Sequence, residues 1–96
     1  MSISVARVPT HSASRYLQQL TKHWSHKMTV EFTAEEATIA FPGGSRLEMR
    51  ADSDTLDVVL TVPDGEDEGR IRGVVSSHLD RFAFREAPLT FDWRVG

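Results

Sequence analysis

The chain has 96 residues, of which 40% are hydrophobic and 26% charged, and its net charge is −3, an ordinary balance for one globular domain spanning residues 1–96. It contains no cysteine, which excludes disulfides, thiolate catalysis and Cys-based zinc or iron–sulfur sites. No run of about 18 apolar residues is present, so no membrane partner is expected. The N-terminus lacks the apolar core of a signal peptide, which makes the cytoplasm the expected location.

The charges are segregated along the chain. Residues 1–30 carry four basic side chains and no acid, residues 31–69 carry eleven acids and two arginines, and residues 70–96 carry five arginines and three acids. Two interpretations stay open: a positive face beside a negative one, or ordinary solvated surfaces.

The first two predicted elements are a strand and a helix. The segment SISVARV is short and rich in β-branched residues, which is typical of a strand. Thr10 is predicted to cap a helix over about residues 11 to 25, its hydroxyl accepting a free backbone N–H. Apolar residues at helical spacing form the buried stripe of this helix: Ala13, Tyr16, Leu17, Leu20 and Trp24.

Four strands are predicted next, in TVEF, ATIAF, SRLEMRA and TLDVVLTV. Each alternates between polar and apolar residues, and the short loops between them predict an antiparallel meander. The residues predicted to face inward are Val30, Phe32, Ile39, Phe41, Leu47, Met49, Ala51, Leu56, Val58, Leu60 and Val62.

A second helix and a last strand complete the chain. The acidic segment PDGEDE suits the positive N-terminal end of a helix, and Pro88 is predicted to end that helix. Its apolar stripe consists of Ile71, Val74, Val75, Leu79 and Phe82. Phe84 falls off this stripe, so either the helix unwinds before it or its ring is exposed. The segment LTFDW is predicted to be a strand with Leu89, Phe91 and Trp93 on one face.

The predicted order is β-α-β-β-β-β-α-β. A sheet whose strands alternate needs only one covered face, so two amphipathic helices on that face predict an α+β two-layer sandwich. The element order is analogous to TATA-binding-protein-like topology, an analogy that carries no function.

A family resemblance is carried by the strings ARVPT, SRYLQQLTKHWSHK, the FPGG turn and HLDRFAFREAPLTFDW. Together, over about Ser4 to Arg94, they resemble the bacterial domain-of-unknown-function family 2218. The resemblance implies a small bacterial α+β protein, no established activity and no functional residue to carry over. Similar domains sometimes occur beside siderophore-interacting, iron-reducing flavoproteins, an association that favours iron handling. This chain has no flavin fingerprint, so no cofactor of its own is expected.

Histidines supply the candidate metal ligands. His23 and His26 lie three residues apart on the first predicted helix, and His78 on the second is available as a third nitrogen ligand. Two histidines are too few for a stable zinc site, which takes three or four protein ligands. The alternative is that His23 flanks the apolar stripe and that His26 is solvated.

A candidate ligand site is predicted where the flanks of the two helices meet. His78 falls close to the centre of the second apolar stripe, either as a core histidine bonded to a backbone carbonyl or Tyr16, or lining a cleft. Arg81 and Arg85 share its flank, and Arg15 and His23 are available from the first helix. Arginine presents a planar fork that suits oxyanions, although these arginines could instead cover apolar surface.

Three functional hypotheses follow. The leading one is a small accessory or binding domain that takes an anionic ligand or an iron chelate at the helix–helix flank. The second is a protein-interaction module that works either through the acidic edge 52–68 or as a homodimer. The third is a metal-dependent enzyme with a His-based site. The sequence has no P-loop, nucleophile elbow or dinucleotide fingerprint, so no catalytic residue is assigned. Because the chain is acidic and its predicted open sheet face lacks apolar wedges, no nucleic-acid partner is expected.

Overall fold

Eight elements follow one another in the predicted order in a computed structural model that describes all residues, Met1–Gly96. The strands are β1 (Ser2–Pro9), β2 (Thr29–Phe32), β3 (Glu36–Ala40), β4 (Arg46–Ala51), β5 (Thr55–Val62) and β6 (Arg94–Val95), and the helices are α1 (Ala13–Trp24) and α2 (Glu68–Phe82). The predicted α+β class and element order are confirmed.

The six strands form one antiparallel sheet in the spatial order β2-β3-β4-β5-β1-β6. Strands β2 to β5 are the predicted meander. Strand β1 lies beyond β5, so α1 carries the chain back across the sheet to β2 at the opposite edge. Helix α1 therefore crosses β5, β4, β3 and β2 and also packs on α2.

The core lies between the helices and one face of this sheet. Because side chains alternate along a strand, the inward positions of β3, β4 and β5 are buried together. Leu47, Leu56 and Leu60 are completely buried, and burying a leucine stabilises a fold by about 1.5–3 kcal/mol. Phe32 departs from the prediction and is 38% exposed, because β2 is an edge strand that the helices do not fully cover.

The opposite face of the sheet is polar and carries a row of alternating charges. Glu36, Arg50, Asp57 and Arg7 lie opposite one another on four neighbouring strands. Arg50 Nη2 lies 3.7 Å from the carboxylate of Glu36, and Arg7 Nε lies 3.4 Å from that of Asp57. Exposed pairs of this kind each contribute only about 0.2–1 kcal/mol, but they favour one strand register.

The prediction that Thr10 caps α1 was wrong. The helix begins at Ala13, and its N-cap is Ser12, whose side chain makes no capping hydrogen bond. The hydroxyl of Thr10 accepts the backbone N–H of Ser12 at 3.1 Å, before the helix begins, and donates to the carboxylate of Glu86. Thr10 thus connects the approach to α1 with the segment after α2.

The predicted end of α2 was also wrong. The helix begins after Asp67, whose side chain accepts the N–H of Arg70 at 3.1 Å, and ends at Phe82, well before Pro88. The N–H groups of Glu86 and Ala87 both bond to the carbonyl of Ala83 at 2.8 Å, which turns the chain away. Both alternatives for Phe84 therefore hold, since the helix has ended and the ring is 71% exposed.

The last predicted strand is not formed where it was expected. Only Arg94–Val95 pairs with β1, whereas residues 89–93 run beside the core without strand pairing. Side chains hold this segment instead. Asp80 accepts the N–H of Leu89 at 2.8 Å, and the rings of Phe91 and Trp93 stack with centroids 5.8 Å apart.

Neither helix combines the length and apolar character that crossing a bilayer requires.

Candidate functional site

The two helices meet along a line that we call the helix seam, formed by Tyr16, Gln19 and His23 on α1 and by His78 and Phe82 on α2. Tyr16, in the first half of α1, donates a hydrogen bond to Glu86, just beyond the end of α2. His23, in the last turn of α1, contacts His78 and Phe82. These contacts show that the helices run antiparallel at the seam.

Aromatic rings form the inner part of the seam. The ring centroids of His23 and His78 are 5.6 Å apart, and those of His23 and Phe82 are 5.8 Å apart. Trp24 lies 5.1 Å from His78 and 5.2 Å from Phe41. Trp24 is buried, His78 is half-buried and His23 is exposed, so the cluster reaches from the core to the surface.

His78 has one ring nitrogen engaged and one free. Its Nδ1 lies 2.8 Å from the carbonyl oxygen of Val74, one turn earlier on α2. Since a carbonyl only accepts, this contact places a proton on Nδ1, which leaves Nε2 to accept from a ligand in the neutral ring or to donate in the protonated ring. The partner is thus a backbone carbonyl and not Tyr16.

Exposed basic side chains lie close to the seam residues along both helices. Arg81 lies three residues after His78 and so shares its flank of α2. Arg81, Arg85 and Lys22 are exposed, and none has a carboxylate within 4.0 Å. Arg85 comes after the end of α2 at Phe82, so the helical spacing that predicted it on the flank of His78 is lost. Its guanidinium lies 5.7 Å above the ring of Phe84. The positive charge of these side chains is not neutralised by ion pairs within the protein.

Gln19 is a seam residue that the sequence analysis missed. It lies one turn before His23, and its Oε1 is buried without a hydrogen-bond partner. Buried polar atoms normally have a partner, so this amide is an unusual feature of the seam. A neutral side chain on the flank of an amphipathic helix gives no signal from which this could be predicted.

Glu86 is the second residue that was missed. Its carboxylate accepts the hydroxyl of Thr10 at 3.0 and 3.1 Å and also accepts the hydroxyl of Tyr16. The hydrogen bond to Glu86 and the burial of the ring raise the pKa of Tyr16 above its ordinary value of 10.0. This network anchors the end of the seam opposite to His23.

Arg15 lies apart from the other predicted ligand residues. It lines a shallow hollow with His11, Glu35 and Asp52, and no residue of α2 contributes to that hollow. It occupies the first turn of α1, whereas His23 occupies the last. The structure therefore groups His23, His78 and Arg81 but does not add Arg15 to them.

The three-histidine metal site is not formed. His23 and His78 are neighbours, but the structure has no group of three or more His, Asp or Glu side chains placed to hold a metal ion. His26 comes after the last residue of α1 and is exposed. Since the helix does not continue through His26, the helical spacing on which this prediction depended is lost.

The fold and the seam define a small two-layer α+β domain with an aromatic contact between its helices. The chain belongs to the family described as "Uncharacterized protein conserved in bacteria (DUF2218)", whose family model matches residues 5–94, and the resemblance stated from the sequence is confirmed. The NMR structure of PA4090 from Pseudomonas aeruginosa is similar, with a TM-score of 0.80 and 37% identity over 98% of this chain and 96% of that chain. No curated protein matches the chain.

Proposed function

We propose that this domain binds a small anionic ligand at the helix seam and has no catalytic activity of its own. One observation carries the proposal: the rings of His23 and His78 lie 5.6 Å apart, beside a flank whose exposed Arg81 has no carboxylate partner. An anion seated there accepts from the guanidinium of Arg81 and from the Nε2–H that His78 carries in its protonated form.

Charge and shape both support an oxyanion. Arginine donates two parallel hydrogen bonds to a carboxylate or phosphate, and such charge-assisted bonds are roughly twice as strong as neutral ones. The rings of His23 and Phe82 meet edge to face and offer an apolar surface to a flat ligand. A ligand that combines an aromatic ring with oxygen anions matches this arrangement.

Iron chelates of the catecholate type are the ligand class that we propose. They carry flat rings and negative charge, and the occurrence of similar domains beside siderophore-interacting flavoproteins favours a role in iron handling. The domain would then present a bound ferric chelate to a reductase supplied by another protein. The histidines would act as hydrogen-bond partners of the chelate, because the chelator already supplies the oxygen ligands of the metal.

The proposal is tested by titration of the 15N-labelled domain with three probes: a catecholate, its ferric complex and inorganic phosphate. We expect the catecholate to shift the amide signals of His23, His78 and Arg81. The ferric complex should broaden the same signals, because its iron is paramagnetic. Unchanged signals at these residues with all three probes would contradict anion binding at the seam, and a response to phosphate alone would contradict the chelate class.

Arg81→Gln is the decisive variant, and Arg46→Gln is its matched control. Arg81→Gln removes one charge-assisted contact, which is worth about 1.5–3 kcal/mol, so the affinity should fall by about tenfold or more. Arg46 is exposed on the polar face of the sheet, where its Nε lies 3.7 Å from Glu48. The control makes the same change in net charge away from the seam and should bind as the unmodified chain does.

A protein-interaction module is the second candidate, and one observation favours it. Phe84 is 71% exposed just beyond α2, and exposed aromatic rings are common at interfaces. The acidic edge 52–68 supports this function less well, since most of its carboxylates have partners within the chain. Asp57 pairs with Arg7 and Glu68 with Arg72, while Asp67 caps α2. Light scattering at increasing concentration tests self-association, and a dimer that Phe84→Ser abolishes would favour this function.

A further inference from the structure

A cavity lies beside the β3–β4 turn, and none of the helix-seam residues lines it. It is a hollow of about 300 Å³, which reaches the lower end of the range of small-molecule sites. We call it the turn hollow, because the β3–β4 turn forms one wall and the beginning of α2 forms another. Its apolar surface comes from Met28, Phe41, Ile71 and Val74. Phe41 also contacts Trp24, and Trp24 contacts His78 of the seam.

Ser45 gives the turn hollow a buried polar group without a partner. This residue is only 2% exposed and lines the hollow. Its backbone carbonyl accepts the N–H of Phe41 at 2.8 Å, which closes the turn, but its hydroxyl Oγ is buried and makes no hydrogen bond. Since nearly all buried polar side-chain atoms are hydrogen-bonded, this hydroxyl is an unusual feature of the wall of the hollow.

Two opposite charges border the same hollow. Glu66 and Arg70 both line it, yet neither has an ion-pair partner within 4.0 Å, including each other. The carboxylate of Glu66 lies directly over Gly43, where a Cβ would overlap its Oε1. Because Gly43 has no side chain, the Glu66 carboxylate can occupy this space.

We propose that the turn hollow binds a zwitterion with an apolar side group, the chemical class of apolar and aromatic α-amino acids. The ammonium group binds to Glu66 and the carboxylate to Arg70. The side group packs on Phe41 and Met28, which line the hollow. A ligand with only one charge would leave Arg70 or Glu66 unpaired, so the pair of charges selects a zwitterion.

The probe is L-phenylalanine, compared with two analogues that each lack one charge: 3-phenylpropionate without the ammonium group and phenethylamine without the carboxylate. In an NMR titration of the whole domain, L-phenylalanine should shift the amide signals of Gly43, Ser45 and Arg70. Each analogue should bind at least about tenfold more weakly, which corresponds to the loss of one charge-assisted contact. Unchanged amides with L-phenylalanine, or equal binding of all three compounds, would overturn the proposal.

Variants assign the two charges separately. Glu66→Gln should weaken L-phenylalanine about tenfold while leaving phenylpropionate unaffected, and Arg70→Gln should weaken L-phenylalanine about tenfold while leaving phenethylamine unaffected. Gly43→Ala should act like Glu66→Gln, because the new methyl group displaces the Glu66 carboxylate. If Gly43→Ala fails to fold, the partly exposed Glu66 still decides the question, since unchanged binding by Glu66→Gln overturns the proposal.

The turn hollow and the seam are tested independently. Arg81→Gln should leave L-phenylalanine binding unchanged, and Arg70→Gln should leave catecholate binding unchanged. If Arg81→Gln weakened L-phenylalanine as much as Arg70→Gln does, the amino acid would be bound at the seam and the proposal for the turn hollow would be wrong. Failure of the catecholate titration would leave this proposal standing.

Discussion

Arg72 on α2 donates two hydrogen bonds to the hydroxyl of Ser4 on β1, from Nη2 at 2.6 Å and from Nε at 3.0 Å. The same guanidinium pairs with Glu68 at 2.8 Å and lies 5.7 Å above the ring of Trp93. Ser4 is completely buried. The side chain of Arg72 thus joins α2 to strand β1 and to the C-terminal segment that contains Trp93.

Replacing Arg72 by Ala should destabilise the fold by about 2 kcal/mol, because the hydroxyl of Ser4 loses its only donor and packing over Trp93 is lost. Urea unfolding followed by circular dichroism measures this change. Arg70→Ala is the control, since Arg70 is exposed on the same helix without an ion pair, and it should change stability by less than about 0.5 kcal/mol. Equal losses from both variants would show that Arg72 contributes only helix propensity.

The Arg72–Ser4 contact also shows where sequence reasoning reaches its limit. Alternation predicted the buried faces of β3 to β5, because the period of a strand couples directly to burial. Partners separated by 68 residues leave no such local pattern. The three wrong boundaries depend on contacts that the periodicity does not report. Thr10 bonds to Glu86, 76 residues away, the chain turns on the carbonyl of Ala83 after α2, and the side chain of Asp80 accepts the N–H of Leu89.

The candidate site, like the fold, was predicted in part from the sequence. Helical spacing placed His78 on the inner flank of α2 and His23 beside the stripe of α1, and the structure brings them together. Whether they meet depends on the antiparallel packing of the helices, which the spacing within one helix does not specify. Gln19, Ser45 and Glu66 were not predicted at all, since their unusual features are missing partners, and a missing partner is a property of three-dimensional surroundings.

Tyr16 should titrate above its ordinary pKa of 10.0, chiefly because its hydroxyl donates to the carboxylate of Glu86. It is the only tyrosine in the chain, so the tyrosinate absorbance reports this residue alone. Because the folded pKa is the raised one, the stabilisation is complete below pH 10.0 and is lost as the pH rises through the folded value.

Glu86→Gln should lower the pKa of Tyr16 towards 10.0, first because it weakens the hydrogen bond that the hydroxyl donates to the carboxylate, and also because it removes a negative charge that disfavours the tyrosinate. A spectrophotometric pH titration of both proteins measures the difference. Glu36→Gln makes the same substitution on the polar face of the sheet and should leave the titration unchanged. An identical midpoint for Glu86→Gln and the unmodified chain would show that Glu86 does not control the hydroxyl.

The ionised carboxylate of Asp52 should stabilise the fold at neutral pH, and this stabilisation should be lost in acid. Its pKa lies below the ordinary 3.8, first because it accepts the backbone N–H of Asp54 and next because it accepts the N–H and hydroxyl of Thr55. A depressed folded pKa means that the stabilisation is present above about pH 3.8 and is lost as the pH falls through the folded value. Asp52→Asn should therefore be less stable than the unmodified chain at neutral pH.

The difference between the two chains should shrink as the pH falls below 3.8, which thermal unfolding at a series of pH values measures. Glu31→Gln is the matched control, since Glu31 is exposed on the edge strand and forms no ion pair, and its difference should stay nearly constant. A difference for Asp52→Asn that did not change with pH would show that the ionised carboxylate of Asp52 does not contribute to stability.

Two substitutions of His78 should separate its packing from its proposed role in binding. His78→Phe retains a ring against Trp24 and His23, and should change the free energy of unfolding by less than about 1 kcal/mol. His78→Ala removes the ring from this cluster and should cost about 2 kcal/mol. Neither Phe nor Ala can replace the Nε2 of His78 as a hydrogen-bonding group. Both variants should therefore lose catecholate affinity by about tenfold. Urea unfolding and the amide titration measure the two effects separately, with His26→Ala as the exposed control for both.

Full catecholate affinity in a folded His78→Phe domain would contradict a role for His78 in binding. His78 would then be only a packing residue between Trp24 and His23.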